Sequence, residues 1–270
     1  MRNTTTRRDF IKKSALVSSI ALSPNLLFGM SKKNDGIPLI DYHVHPNGIL
    51  SIEDAAENFK SKNMKFGIVE HPGRRTNIFD DSSLASYIQK IHSFGAFAGL
   101  QPIAPNWHEV FSSEAISKLD YVLMDAMEIP DGKGNREKIW EQRFVLYNKS
   151  TFMDRYIDFH IDVLENGKSN ILANPTFLPI CLAPEYHKLW TEKRMDKIIQ
   201  SAVKNNVAFE INSIYHYPKK PFIKLAKEAG AKFSFGSNGH QLREIKNYEY
   251  CLEMVKECGL VEDDFLKLKL

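Results

Sequence analysis

The sequence predicts an α/β barrel of parallel strands, and three observations carry that expectation. Short apolar runs fall at 38–44, 64–69, 96–100, 121–129, 170–173, 207–211 and 232–236. Between and after them lie stretches of helical periodicity at 52–62, 82–93, 108–118, 150–166, 186–205, 219–229 and 241–257. Strand-then-helix alternation of this kind calls for right-handed crossovers between parallel strands, and seven such units fit a closed or nearly closed barrel. Ser51 followed by Asp54 has the pattern of a capping box that starts the first helix. Gly230, after 224–229, reads as a helix stop.

The N-terminus stands apart from this pattern. Thr6-Arg7-Arg8-Asp9-Phe10-Ile11-Lys12-Lys13 precedes the uncharged run from Ser14 to Phe28, which is too short and too rich in serine to stay in a bilayer. Residues 1–30 therefore read as a twin-arginine-type export signal, and 31–270 as one barrel domain. The expected location is exported, periplasmic or at the cell surface, with no stable membrane span afterwards. No Ala-x-Ala site stands near Gly29.

The whole chain has 36 Lys+Arg against 33 Asp+Glu. The leader holds five of the basic residues (Arg2, Arg7, Arg8, Lys12, Lys13) and one acidic residue (Asp9), which leaves 31 against 32 and a formal charge of −1. A near-neutral domain gives no electrostatic case for nucleic-acid binding, so a small-molecule substrate is the expected partner. Cys181, Cys251 and Cys258 form no Cys-x-x-Cys pair, and they read as buried small apolar residues rather than a disulfide framework.

Chemistry concentrates at the strand ends, where barrels of this class place their active sites. The first run carries Asp41-Tyr42-His43-Val44-His45, and strand alternation puts Asp41, His43 and His45 on one face. Later runs end in Glu70-His71, Gln101, Asp125 with Glu128, Asn174, Glu210 with Asn212, and Asn238 with His240. Arg74 and Arg75 follow Glu70-His71-Pro72-Gly73 and suit a phosphate or carboxylate clamp, although a solvated turn explains them equally well. Trp107-His108, Tyr215 and Tyr217 form a candidate aromatic rim for a ring-bearing or sugar-like ligand. His92, His160 and His187 lie inside helical stretches and read as ordinary helix residues.

Asp41-x-His43-x-His45, Glu70-His71, Phe209-Glu210-Ile211-Asn212 and Gly236-Ser237-Asn238-Gly239-His240 together resemble the motifs of the polymerase-and-histidinol-phosphatase (PHP) superfamily over about 37–245. The resemblance implies a distorted seven-stranded (β/α)7, TIM-like barrel. It also implies hydrolysis, usually of phosphoesters, at a cluster of zinc, manganese or iron. Four positions depart from the family pattern: Gln101 replaces a bridging glutamate, Met127 and Asn174 replace histidines, and Asn238 replaces an aspartate. Amides are poor ligands for such ions, so a reduced site of one or two divalent metals is expected.

His43, His45, His71 and His240 are the metal candidates, with His240 serving either as ligand or as general acid/base. Glu70 and Glu128 are carboxylate partners, and Asp41 and Glu70 are candidates to orient imidazole nitrogens. Asn174 and Asn238 are expected to contact substrate. A divalent metal at this site activates a bound water for hydrolysis. Three other readings fit the same residues. One is a degenerate barrel that binds without catalysis, one an eight-stranded amidohydrolase barrel, and one a sugar-directed lyase or epimerase with Glu210 or Glu128 as base.

Overall fold

Each of the seven apolar runs supplies one strand of a ring, and the register between them closes it. The computed structural model describes residues 36–73, 77–144, 146 and 148–268, so the segment 1–30 expected to be an export signal lies outside the described residues. In chain order the strands are β1 (Ile40–Val44), β2 (Lys65–Glu70), β3 (Phe97–Leu100), β4 (Tyr121–Met124), β5 (Glu128–Pro130), β6 (Arg136–Lys138), β7 (Ile171–Leu172), β8 (Ala208–Asn212) and β9 (Phe233–Gly236). A closed barrel runs β1-β2-β3-β4-β7-β8-β9, every neighbouring pair is parallel, and β9 pairs back onto β1. The fold is thus an α/β barrel of seven strands, as the sequence predicts. β5 and β6 form a separate antiparallel hairpin.

Helix starts follow the capping chemistry of the sequence. Ser51 accepts from the Asp54 backbone N–H at 3.0 Å and begins the helix Ile52–Ser61. The helix Lys220–Glu228 ends just before Gly230, whose φ of 81° is left-handed. One expected helix and one expected strand are interrupted. The 108–118 stretch becomes a 3-10 turn, Pro105–Val110, and a short helix, Ser113–Ile116, because Ser112 caps a new start through the Ala115 N–H. The 121–129 run breaks after Met124, where Asp125 accepts the Met127 N–H at 2.9 Å and turns the chain out of the barrel into the hairpin.

Two apolar clusters hold the structure. The larger lies between barrel and helices and includes Phe59, Phe66, Leu84, Phe209, Phe222 and Phe233. A smaller one inside the barrel joins Tyr42, Val69, Tyr121, Leu123, Ile171 and Ala173. Tyr121 fills this interior only because Gly67 and Gly99 face it: a Cβ on Gly67 would stand 2.3 Å from its hydroxyl oxygen, and one on Gly99 2.4 Å from its ring. Its hydroxyl donates to the Tyr42 carbonyl at 2.7 Å. Cys251 and Cys258 are buried as expected, whereas Cys181 is exposed, on the loop after β7. Among the described residues, no helix is long and apolar enough to cross a membrane.

Candidate active site at the barrel mouth

The histidine row on β1 is built by a bulge that the alternation argument missed. Asp41 pairs with Phe66 and Val44 with Ile68, so three steps of β1 match two of β2. Phe66 and Ile68 face the outer core, hence Asp41 and Val44 face outward too, and the extra residue turns His43 inward. Asp41 therefore stands on the opposite side of the strand from His43 and His45, a correction to the single-face expectation. Its carboxylate accepts the His43 N–H at 2.9 Å, the Ser237 N–H at 3.1 Å and the Tyr248 hydroxyl at 2.5 Å. Asp41 touches no imidazole nitrogen. It fixes the bulge instead. Burial pushes its carboxyl up, against the lowering effect of those bonds.

His43 meets Glu210 inside the barrel, Nδ1 to Oε1 at 2.6 Å, and both side chains are wholly buried. Glu210 also accepts the Asn174 N–H at 2.8 Å and the Asn212 side-chain amide at 3.2 Å. Gly236 makes room for this pair, since a Cβ there would stand 1.9 Å from Glu210 Oε1 and 2.9 Å from His43 Cβ. With Nδ1 engaged, His43 Nε2 is buried and has no partner among the described residues. Burial opposes charge on His43, but the charge and hydrogen bond of Glu210 outweigh it and raise the pKa.

His71 is anchored in the same manner, Nδ1 to the Gln101 carbonyl at 2.7 Å, and the Gln101 amide donates to Asp125 at 2.9 Å. β1 and the segment after β9 pair through His45 N to Gly239 O and Gly239 N to His43 O, 2.8 and 3.1 Å, which draws His240 to His45. Their rings stack at 4.6 Å and 3°. His45 lies 5.1 Å from His43 and 5.6 Å from His71 between ring centroids, so imidazoles from both ends of the domain do meet. Burial, then the neighbouring His43, His240 and His71, hold His45 well below the ordinary histidine range. Burial lowers His240 also, and raises Asp125.

His45, His71, Gln101, Asp125, Asn174 and His240 line one cavity of about 290 Å³ at the strand C-terminal ends. Among the described residues, no three His, Cys, Asp or Glu side chains converge as a ready-made coordination shell. The His45 and His240 rings lie face to face in this arrangement.

No protein-family model matches the chain, and no curated protein matches it by sequence. Among solved structures, the chain is similar to a β-mannanase from Thermomonospora fusca at 14% identity, covering 83% of this chain and 77% of that one, with a TM-score of 0.44. It is similar to a dihydroorotase from Saccharomyces cerevisiae at 14% identity over 85% and 81% of the two chains, TM-score 0.41. A chain of an archaeal ribonuclease P structure matches at 14% identity over 82% and 87%, TM-score 0.43.

Several expected site residues stand elsewhere. Glu70 belongs to a different cavity, between β2 and the helix Asp81–Ser93, beside Tyr87 and Lys90. Alternation explains this correction, because Val69 and His71 face inward and Glu70 outward. Glu210 is in the site but does not line its cavity; saturated by three donors, it positions His43 and is not placed as a proton-abstracting base. Glu128 does line the cavity and lies 3.8 Å from Lys138. Asn174 and Asn238 line it from left-handed backbone positions, φ 46° and 53°. Arg74 and Arg75 lie outside the described residues.

The aromatic rim is also redrawn. Trp107 is buried and donates to the Gly167 carbonyl at 2.8 Å, and Tyr217 stacks on Tyr186 at 5.4 Å, so only Tyr215 of the expected set reaches the cavity. Sequence reasoning assigned no role to Asp125, Trp140 or Ile103, which all line it. Asp125 had a signal, since it is two and four residues beyond the inward-facing Leu123 and Tyr121. Trp140 had none: it follows the hairpin, whose position no periodicity reveals.

Proposed function

We propose that this chain is a metal-dependent hydrolase of the PHP type, exported through its N-terminal segment, that acts on a small substrate at the barrel mouth. The observation that carries the reading is His43, whose Nδ1 is held by Glu210 while its buried Nε2 has no partner among the described residues. An imidazole oriented by a carboxylate through one nitrogen and left free at the other is the arrangement found behind metal ligands. His71, held through Nδ1 by the Gln101 carbonyl, is arranged alike.

His43, His45, His71 and Asp125 are the residues that would hold a divalent zinc, manganese or iron ion once side-chain rotation brings their donor atoms to one point, since no three of the described groups converge as they stand. When bound, such an ion supplies a Lewis acid that polarises the substrate and acidifies water. The chain's own groups do the rest. Glu210 and Gln101 keep His43 and His71 from turning, and Asp41 keeps β1 bulged so that His43 faces inward. His240, exposed at the rim, handles a proton at its ring nitrogen, and Glu128 is the second carboxylate within reach of the cavity.

The test is elemental analysis of the purified protein with a hydrolysis panel of phosphoesters and lactones. About one or two tightly held transition ions per chain are expected. His45→Ala is expected to lose them and keep its circular dichroism. Protein without bound ions and without turnover would instead be a binding barrel.

A further inference from the structure

The cavity holds three groups that metal-assisted hydrolysis does not require. Ile103, Trp140 and Tyr215 line it and are large apolar side chains left 39%, 41% and 38% exposed. Side chains of this kind scattered singly need no explanation, but three around one concave site mark a surface kept apolar for a ligand. Each is braced. Ile139 is fully buried and its N–H bonds the Met127 carbonyl at 3.1 Å, which sets Trp140 at the rim. Phe177 meets Tyr215 edge-on at 5.4 Å and 71°.

The polar groups of the same cavity present both hydrogen-bonding senses. Asn174 is 2% exposed, its Oδ1 accepts from Asn212 at 3.1 Å, and its Nδ2 is a buried donor with no partner among the described residues. Asp125 and Glu128 offer carboxylate acceptors nearby. A hydroxyl both donates and accepts, so a ring carrying several hydroxyls satisfies both sets, and its apolar face covers an indole. No Lys or Arg is among the described residues that line the cavity, while two carboxylates are. Lys138, 3.8 Å from Glu128 and 5.7 Å from the Trp140 ring centroid, offsets that carboxylate at the rim, and Asp125 leaves the lining with no net positive charge aimed at a dianionic group.

We infer that the mouth takes a neutral polyhydroxylated ring, a saccharide or its lactone, seated on Trp140 and Tyr215 with a hydroxyl on Asn174 Nδ2. The inference rests on the mouth being the active site, and it narrows the substrate from phosphoesters to uncharged carbohydrate. A cavity of about 290 Å³ suits a single ring with its substituents.

Tryptophan emission tests it directly, because Trp107 and Trp190 are buried and Trp140 is the exposed one of the three. Methyl glucoside, methyl mannoside, methyl galactoside and gluconolactone are titrated against the full chain, with glucose 6-phosphate as the charged counterpart. At least one neutral ligand is expected to shift the emission and to outbind the phosphate. Calorimetry should then show Trp140→Ala weakening it about three- to tenfold, with Trp140→Phe restoring most of the loss. No neutral ligand binding, binding unchanged in Trp140→Ala, or preference for the phosphate would each overturn the inference. Metal content measured on the same samples separates the two readings. Metal-loaded protein that ignores saccharides overturns this inference alone, and metal-free protein that binds them overturns the hydrolase reading alone.

Discussion

Asp41 and Tyr248 meet at 2.5 Å on the outer side of β1, beside the bulge that turns His43 inward. Tyr248 precedes the helix Glu249–Cys258, so its hydroxyl links that helix to the strand opening the barrel. With the Ser237 and His43 backbone donors it satisfies a carboxylate that is wholly buried. A buried acceptor deprived of a donor is costly. Tyr248→Phe is expected to lose about 1–3 kcal/mol of stability by urea denaturation, while Tyr248 itself is not among the residues that line the cavity. A loss below about 0.5 kcal/mol, the level of ordinary surface substitutions, would show that the bulge holds without it.

Gly236→Ala should act on the site through sterics. The added methyl would collide with Glu210 Oε1, so Glu210 must shift and His43 loses its orientation. Metal affinity is expected to fall about 10- to 100-fold, the usual effect of losing a carboxylate behind a ligating histidine. Gly48→Ala is the control, because a Cβ there meets nothing within 4 Å. Equal metal affinity in the two variants would remove Glu210 from the role given to it.

Gly67→Ala probes the barrel interior in the same way. Tyr121 is fixed by its bond to the Tyr42 carbonyl and cannot withdraw from a Cβ at 2.3 Å. Overpacking of this sort costs about 1–3 kcal/mol, readable as a lower denaturation midpoint. Combining it with Tyr121→Phe should recover part of the loss if the hydroxyl contact is the obstacle.

His160 predicts an acid-sensitive window away from the site. It is buried, its Nδ1 bonds the Tyr156 carbonyl at 2.7 Å, and burial lowers its pKa from 6.5 to about 4. The unfolded chain therefore takes up a proton below pH 6.5 that the folded chain refuses until about 4. Stability contributed by the neutral ring is full above that window, falls as pH drops through it, and levels off below. A shift of this size corresponds to about 3 kcal/mol. His160→Gln should flatten the slope of denaturation free energy against pH between those values. An unchanged slope would assign the acid sensitivity to other groups.

The seven strands, their order along the chain and their polar ends were legible because each rests on local information. Short apolar runs, a Ser51 cap and a left-handed Gly230 need only a few neighbouring residues to act. His43, His45, His71 and His240 were legible as a set for the same reason: each ends a strand, and closing the ring brings strand ends together. Asp41 and Glu70 were misplaced by one kind of error. Alternation assigns faces only within an unbroken strand, and it does not say which face turns inward.

By itself, then, the sequence determined a parallel barrel with imidazoles at its open end, since pattern and spacing are properties of the chain alone. Only the tertiary structure decided that Asp41 faces Tyr248, that Glu210 holds His43, and that Trp140 stands at the mouth. Those outcomes depend on a one-residue bulge, on the space left by Gly236 and on where a hairpin folds back, each set by contacts between residues distant along the chain. No local pattern encodes such contacts, because the energy that selects them exists only once the barrel has closed.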